Sequence, residues 1–395
     1  MTNEKYLVVN GGSSSLKFSL YSMPEEKELI NGYIEKIGAP DCFWTLKING
    51  EKIRHEKALK NHSEAVEVMM QELLDNKIIE DVSEIKGIGH RIVNGGPKYK
   101  ESILIDDDFI KEFENLIEYA PLHNPAHLVG IKAFKETLPN VKNVCVFDTA
   151  FHQTMDEVNY LYPVPYEWYT KYGIRKYGAH GTSHRFVYKT ICEKLQRDDL
   201  KVISCHIGSG ASLCAIDGGK VLDTSMGFTP LAGIMMGTRC GDVDASIIPY
   251  IMKKENLTID EVINVFNKKS GLLGVSGVSS DSRDIENGIK EGNERCILAQ
   301  DMYVQKIANY IAMYNNLLNN ADVIVFTAGV GENSVQTRQM IVDKIHSLGV
   351  CLDKELNNCR GVLRKISNED SRIPVYIVPT NEELMIAKDT YELIG

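Results

Sequence analysis

The chain has 395 residues, a formal net charge of -10, 43% hydrophobic residues and 25% charged residues. A single hydrophobic core stops growing at about 250–300 residues, so two domains are expected, and this composition is wrong for a disordered chain. The acidic balance argues against a nucleic-acid backbone as partner, yet leaves room for an anionic substrate held by a local arginine cluster.

The first residues, MTNEKYLVVN, carry a short apolar run and no small-residue cleavage site, so no signal peptide is expected. No apolar stretch approaches the roughly 20 residues of a membrane span. Tyr6–Val9 reads as a strand and Leu16–Tyr21 as its hairpin partner across Gly11–Ser15. Asp106–Tyr119 reads as a helix, because Phe109, Ile110, Phe113, Leu116 and Ile117 recur on one face. Asn143–Phe147 is a buried strand ending in Asp148. Lys201–Cys205, Gly208-Ser209-Gly210 and Ala211–Ile216 repeat the strand, small-residue turn, strand pattern. Val304, Ile307, Ile311, Tyr314 and Leu318 mark a long amphipathic helix. Asp322–Phe326 is a strand that breaks at Thr-Ala-Gly-Val-Gly-Glu-Asn; Pro374–Val378 is another, and Glu382–Leu393 a closing helix. Alternating strands and helices indicate α/β architecture. The two strand–turn–strand units, near residues 10 and 208, suggest a duplicated fold with a cleft between halves and a boundary near Ala150. Nine cysteines without a C-x-x-C pair read as reduced thiols rather than a disulfide framework or a zinc site.

Several stretches carry chemistry. Asn10-Gly-Gly-Ser-Ser-Ser-Leu-Lys17 offers backbone N–H groups, hydroxyls and one cation, the donors that phosphate wants; a plain serine-rich turn explains it equally well. It lacks the P-loop spacing. His90-Arg91-Ile-Val-Asn-Gly-Gly96 can set a permanently charged fork on a carboxylate or phosphate, although alone it reads more readily as a surface arginine beside a turn. Asp148 at a strand end suits either catalysis or a helix cap. In Tyr177-Gly-Ala-His-Gly-Thr-Ser-His184, Gly181 argues against a helix and the acid of a zinc motif is missing; His180 suits hydrogen bonding to an oxyanion. Cys205–Ser212 is a second phosphate-hairpin candidate. The long glycine-punctuated run from Asp223 ends at Arg239 and Asp242, as functional loops do. Gly329 and Gly331 let a base or ribose approach the backbone.

In this order the set resembles the acetate kinase family, over nearly the whole chain from Asn10 to Glu383, with Asp223–Pro230 and Gly271–Ser276 the most specific runs. The resemblance implies an α/β, duplicated actin-like (ribonuclease H-like) two-domain fold with an interdomain cleft. Residues 1–150, joined by the C-terminal helix 382–395, would form one domain, and residues 151–381 a nucleotide-binding, dimerising one. It implies reversible transfer of the ATP γ-phosphoryl group to acetate, giving acetyl phosphate and ADP. The cofactor would be Mg2+, with Mn2+ able to replace it, in a cytoplasmic homodimer that engages neither nucleic acid nor membrane.

The resemblance also assigns residues. Arg91, Asp148, His180 and Arg239 match the catalytic set. Lys17, the run His206, Ile207, Gly208, Ser209 and Gly210, the run Asp281, Ser282 and Arg283, and the run Gly329, Val330, Gly331, Glu332 and Asn333 match the nucleotide and phosphate contacts. Arg91, Val93, Leu122, His123 and Pro230 match the substrate pocket, and Asn10 and Glu382 the metal. Departures from the family pattern fall at Gly11, Asn94, Pro97, Ser209, Ala232, Cys240 and Ala245, none of them a catalytic position. A propionate kinase or a broader short-chain fatty acid kinase is the nearest alternative, and a nucleotide-gated scaffold on the same fold is the alternative from another class.

Overall fold

The computed structural model describes residues 3–121 and 123–395. The chain divides into two compact units, Met1–Ala150 with Asn381–Gly395, and Phe151–Thr380.

The first unit is built on β1 (Glu4–Gly11), β2 (Ser15–Met23), β3 (Lys27–Glu35), β4 (Phe43–Ile48), β5 (Glu51–Glu56), β6 (Ile85–Ile92), β7 (Ile103–Leu104) and β8 (Lys142–Phe147), ordered β5-β4-β3-β2-β1-β6-β8-β7. Strands β1 to β5 form an antiparallel meander, and β6 and β8 then add parallel to β1. In β1 the run Tyr6-Leu7-Val8-Val9 is buried throughout, the signature of a central strand covered on both faces. Leu7, Val9 and Ile88 face Ala65, Val66, Met69 and Leu73 of the helix His62–Asp75 and Phe134 of the helix Asn124–Thr137. The opposite face takes the helix Glu382–Ile394. Gly87 and Gly89 permit that close approach, since a Cβ on Gly89 would lie 2.3 Å from Thr390 Oγ1 and 2.6 Å from Ile386 Cγ2.

The second unit is built on β9 (Lys201–Ile207), β10 (Ala211–Asp217), β11 (Lys220–Thr224), β12 (Val323–Thr327), β13 (Arg364–Lys365) and β14 (Val375–Ile377), ordered β11-β10-β9-β12-β14-β13. Here β9, β10 and β11 are antiparallel neighbours, and β12 and β14 run parallel to β9. The series β3-β2-β1-β6-β8 and β11-β10-β9-β12-β14 therefore share order and direction. The fold is duplicated, of the actin-like (ribonuclease H-like) class. The helix Glu294–Leu317 packs Val304, Ile307, Ile311 and Tyr314 into the core with Leu213 and Ala215 of β10. Among the described residues no helix is long and apolar enough to cross a membrane, and all nine cysteines are free.

Two expectations change. The helix expected over Asp106–Tyr119 is an α-helix only from Asp107 to Phe113, capped by Asp106, and continues as a 3-10 helix over Glu114–Tyr119. Asn124 Nδ2 takes the Leu116 carbonyl at 2.7 Å, so a tertiary hydrogen bond competes with continuation of the α ladder. Gly181 does not prevent a helix: it opens one, Gly181–Leu195, which places His184 in the first turn. The first four N–H groups of a helix need no partner within it, so glycine is tolerated there, and Val187, Tyr188 and Ile191 bury the face that stabilises the rest.

Buried histidines should make the fold acid-sensitive. His90 donates from Nε2 to Asn143 Oδ1 at 2.7 Å, and burial holds its pKa down to about 4. Its folded value lies below the unfolded 6.5, so the unfolded chain takes up the proton first. The stability this neutral ring carries is present above pH 6.5 and is lost as pH falls toward 4, about 3 kcal/mol for a shift of this size. Thermal melts between pH 7 and 4 should show a steep fall in Tm that a His90→Gln variant partly flattens; parallel curves for the two proteins would refute this.

Candidate active site

In the first unit, side chains expected at the site gather at the C-terminal ends of parallel strands, where open α/β sheets bind ligands. Asn10 lies near the end of β1 and pairs in register with Lys17 of β2. Arg91 lies near the end of β6, and Asp148 follows β8 directly. Glu382 opens the C-terminal helix, whose first turn is capped by Asn381. Arg91 Nη2 donates to Asp148 Oδ2, while its Nε lies 3.8 Å from Glu382 Oε2 and makes no hydrogen bond. Burial works against the guanidinium charge, but Asp148 and Glu382 outweigh it and hold the group firmly cationic. Burial raises the Glu382 carboxyl to about 7, against the pull of Arg91 and with help from Asp148 and Glu383. Asn10, Lys17, Arg91 and Glu382 line one cavity of about 330 Å³.

On the same unit, Val93 follows β6 and is partly buried, whereas His123 is exposed and precedes the helix Asn124–Thr137. Asn124 Nδ2 donates to the Asn94 carbonyl at 3.0 Å and ties those two segments together. Leu122 lies outside the described residues. Asn94 is structural: its Oδ1 accepts from Gly96 N at 2.8 Å and closes the Gly-Gly turn. At Gly11 a Cβ would meet nothing closer than 3.8 Å, so alanine fits there equally well.

In the second unit, His180 has φ +58° and sits at the N-terminus of the helix Gly181–Leu195. Its ring stacks on His206 with centroids 4.1 Å apart and planes 19° from parallel. A Cβ built on Gly210 would lie 3.5 Å from both His180 Nε2 and Arg239 Nη1, so imidazole and guanidinium converge on this turn. Arg239 Nη1 donates to the Pro230 carbonyl at 3.1 Å. Burial lowers its pKa, and no carboxylate among the described residues pairs with it. A partly desolvated cation without a counter-ion is favoured when an anion joins it.

The Arg239 turn is seated on Gly271, whose φ is +62°. A Cβ there would lie 2.1 Å from the Met236 carbonyl oxygen and 2.8 Å from that of Arg239, both immovable backbone. Gly271→Ala should therefore shift Arg239 and lower kcat by roughly 10²-fold, the scale of an ångström of misplacement. Steady-state kinetics on the purified variant test this, and a loss below threefold would separate Gly271 from the site.

A cavity of about 740 Å³ in the same unit is lined by Gly208, Ser209, Asp281, Ser282, Arg283, Gly329, Val330 and Asn333, eight of the residues expected at the nucleotide. The Gly208 and Ala328-Gly329 segments nearly touch, since a Cβ on Gly208 would lie 3.7 Å from Ala328 Cβ and 4.0 Å from Gly329 N. Others of the expected set have different places. Ile207 and Gly331 are buried, and Glu332 accepts from Ala328 N at 2.8 Å and Thr380 N at 3.1 Å, so it clamps the loop. Sequence reasoning missed Glu286 and Lys290, which line the cavity from the helix Ser282–Lys290. Their spacing with Ser282, four residues each, was the available signal. Arg338 was also missed: fully buried, it donates to Gly331 O at 3.0 Å and Asn357 O at 2.8 Å, with nothing local to announce it.

Comparison with known proteins points to one family. An acetate kinase of Bacillus velezensis is 54% identical over 391 residues, covering 98% of this chain and 99% of its own. The crystal structure of Porphyromonas gingivalis acetate kinase superposes with a TM-score of 0.95 at 46% identity, covering 99% of this chain and 100% of that one. A propionate kinase structure from Francisella tularensis gives 0.94 at 38% identity, with the same coverage. The model of the acetokinase family matches residues 5–388, and the chain belongs to that family.

Proposed function

We propose that the protein is a phosphotransferase that passes the ATP γ-phosphoryl group reversibly to acetate, giving acetyl phosphate and ADP. The observation that carries this reading is Arg239, a partly buried guanidinium with no carboxylate partner among the described residues, converging with His180 on the Gly210 turn. Acetate has a pKa of roughly 4 and is already ionised at neutral pH, so it attacks without a general base. The difficulty is repulsion between two anions, and positioned cations answer it. Arg239 and His180 take the transferring phosphoryl group. Arg91, held cationic by Asp148, takes the carboxylate, with Val93, His123 and Pro230 around the methyl group. The cavity of about 740 Å³ takes the nucleotide.

Asn10 and Glu382 offer hard oxygen donors suited to magnesium, which retains several waters and shares its shell with phosphates. Among the described residues no group of three or more His, Cys, Asp or Glu side chains could hold a metal ion. Burial has raised the Glu382 carboxyl, and a nearby divalent cation would favour its ionised form. When bound, the ion neutralises phosphate charge. Nine free thiols fit a reducing cytoplasmic setting, and the family resemblance supports a homodimer.

A second reading, a propionate kinase, is favoured by the close match to a structure of that name. An apolar pocket separates substrates that differ by a methylene by only about 1–3 kcal/mol. Trapping acyl phosphate with hydroxylamine across acetate, propionate and butyrate decides between them. Acetate is expected to have the highest kcat/KM, with propionate about 10–200-fold lower. A propionate optimum would establish the second reading, and no acyl phosphate from any acid would refute both.

A further inference from the structure

Beneath the reactive face of the second unit, two serines and two histidines form a single buried file. Ser204 Oγ lies 2.8 Å from His184 Nδ1, His184 Nε2 lies 2.8 Å from Ser212 Oγ, and Ser212 Oγ lies 2.9 Å from His180 Nδ1. Ser204, His184 and Ser212 are each fully buried. Burial keeps His184 neutral, with the neighbouring His152 and His206 rings acting in the same direction.

Counting protons fixes the direction of this file. A hydroxyl has one proton to donate, and neutral imidazole carries one N–H and one bare nitrogen. Ser212 Oγ meets ring nitrogens on both sides and has no third side-chain partner among the described residues, so its proton goes to one ring and it accepts from the other. If Ser212 donated to His184, His184 would carry its proton on Nδ1 and donate to Ser204. The Ser204 hydroxyl proton would then be buried with no acceptor, and an unmade buried hydrogen bond is expensive. The opposite direction satisfies Ser204, both nitrogens of His184, Ser212 and the Nδ1 of His180. Ser204 donates to His184 Nδ1, His184 Nε2–H donates to Ser212, and Ser212 donates to His180 Nδ1.

We propose that Ser204, His184 and Ser212 are positioning residues that lock His180 as the neutral tautomer with its proton on Nε2, the nitrogen nearest Arg239 and the Gly210 turn. Which nitrogen of an imidazole carries the proton is set by the hydrogen bond the other makes. Adding a proton at His180 Nδ1 would require Ser212 and His184 to reverse and would orphan Ser204, so the file also opposes imidazolium formation. On the phosphotransferase reading, His180 then meets the phosphoryl oxygens as a preset hydrogen-bond donor whose orientation costs nothing at the moment of transfer.

Nitrogen NMR of the full-length protein labelled with 15N-histidine, with His180 assigned by loss of its signals in His180→Gln, reads the tautomer without any substrate. The wild type should show His180 protonated on Nε2 alone at pH 7. Ser212→Ala should leave mixed tautomers and lower kcat about 10–100-fold, with KM for acetate and for ATP changed less than threefold. Ser204→Ala, at the far end, should also mix the His180 tautomers, and serves if Ser212→Ala does not fold. Protonation on Nδ1, or an imidazolium at pH 7, in the wild type would overturn the proposal. So would either serine variant that keeps a single Nε2–H tautomer. A correct tautomer in a protein that makes no acyl phosphate would instead count against the proposed reaction alone.

Discussion

Arg239→Ala is expected to lower kcat by about 10²–10⁴, the scale on which positioned cations act in phosphoryl transfer, while leaving Tm nearly unchanged. Its guanidinium donates only to the Pro230 carbonyl and the Met236 thioether among the described residues, so truncation removes little that holds the fold. It even relieves a desolvated charge. Arg239→Lys should recover only part of the loss, because an ammonium cannot present a planar fork to phosphoryl oxygens. Rates from hydroxylamine trapping, set beside thermal melts, provide the check. A change in kcat below tenfold would place Arg239 outside the reaction.

The second large effect is expected at Asp148, a carboxylate only 1% exposed that accepts from Arg91. Asn at this position keeps the shape and one acceptor oxygen but removes the charge that holds Arg91 cationic and oriented. Turnover should fall by roughly 10²–10³, comparable to losing one preorganised electrostatic contact. The shape of the pH–rate profile should survive, because an ionised acceptor needs no proton removed. Disappearance of one limb of that profile in Asp148→Asn would show that Asp148 carries a proton instead of orienting Arg91.

Much of this was legible in the sequence, for identifiable reasons. The β1–β2 and β9–β10 hairpins were visible because apolar runs flank small-residue turns, and the helix Glu294–Leu317 because its apolar stripe keeps a three/four spacing. Arg91 and Arg239 stood out as charges beside glycine turns. Other features depend on contacts distant in sequence. Nothing near His180 reveals that Ser212, 32 residues away, meets its ring, nor near Gly331 that Arg338 grips its carbonyl. Gly181 misled because a glycine weakens a helix interior but not its first position. The roles of Gly271 and Gly89 were equally hidden, since they are defined by what a methyl group would strike.

The helix Glu382–Ile394 completes a sheet whose first strand begins at Glu4, more than three hundred residues earlier. Because synthesis runs from the amino terminus, the sheet is made long before this helix, and Gly87 and Gly89 stay uncovered until the helix emerges. The nascent sheet must stay soluble without this cover, and a chain released before Glu382–Ile394 is made would present an open apolar face to chaperones and proteases.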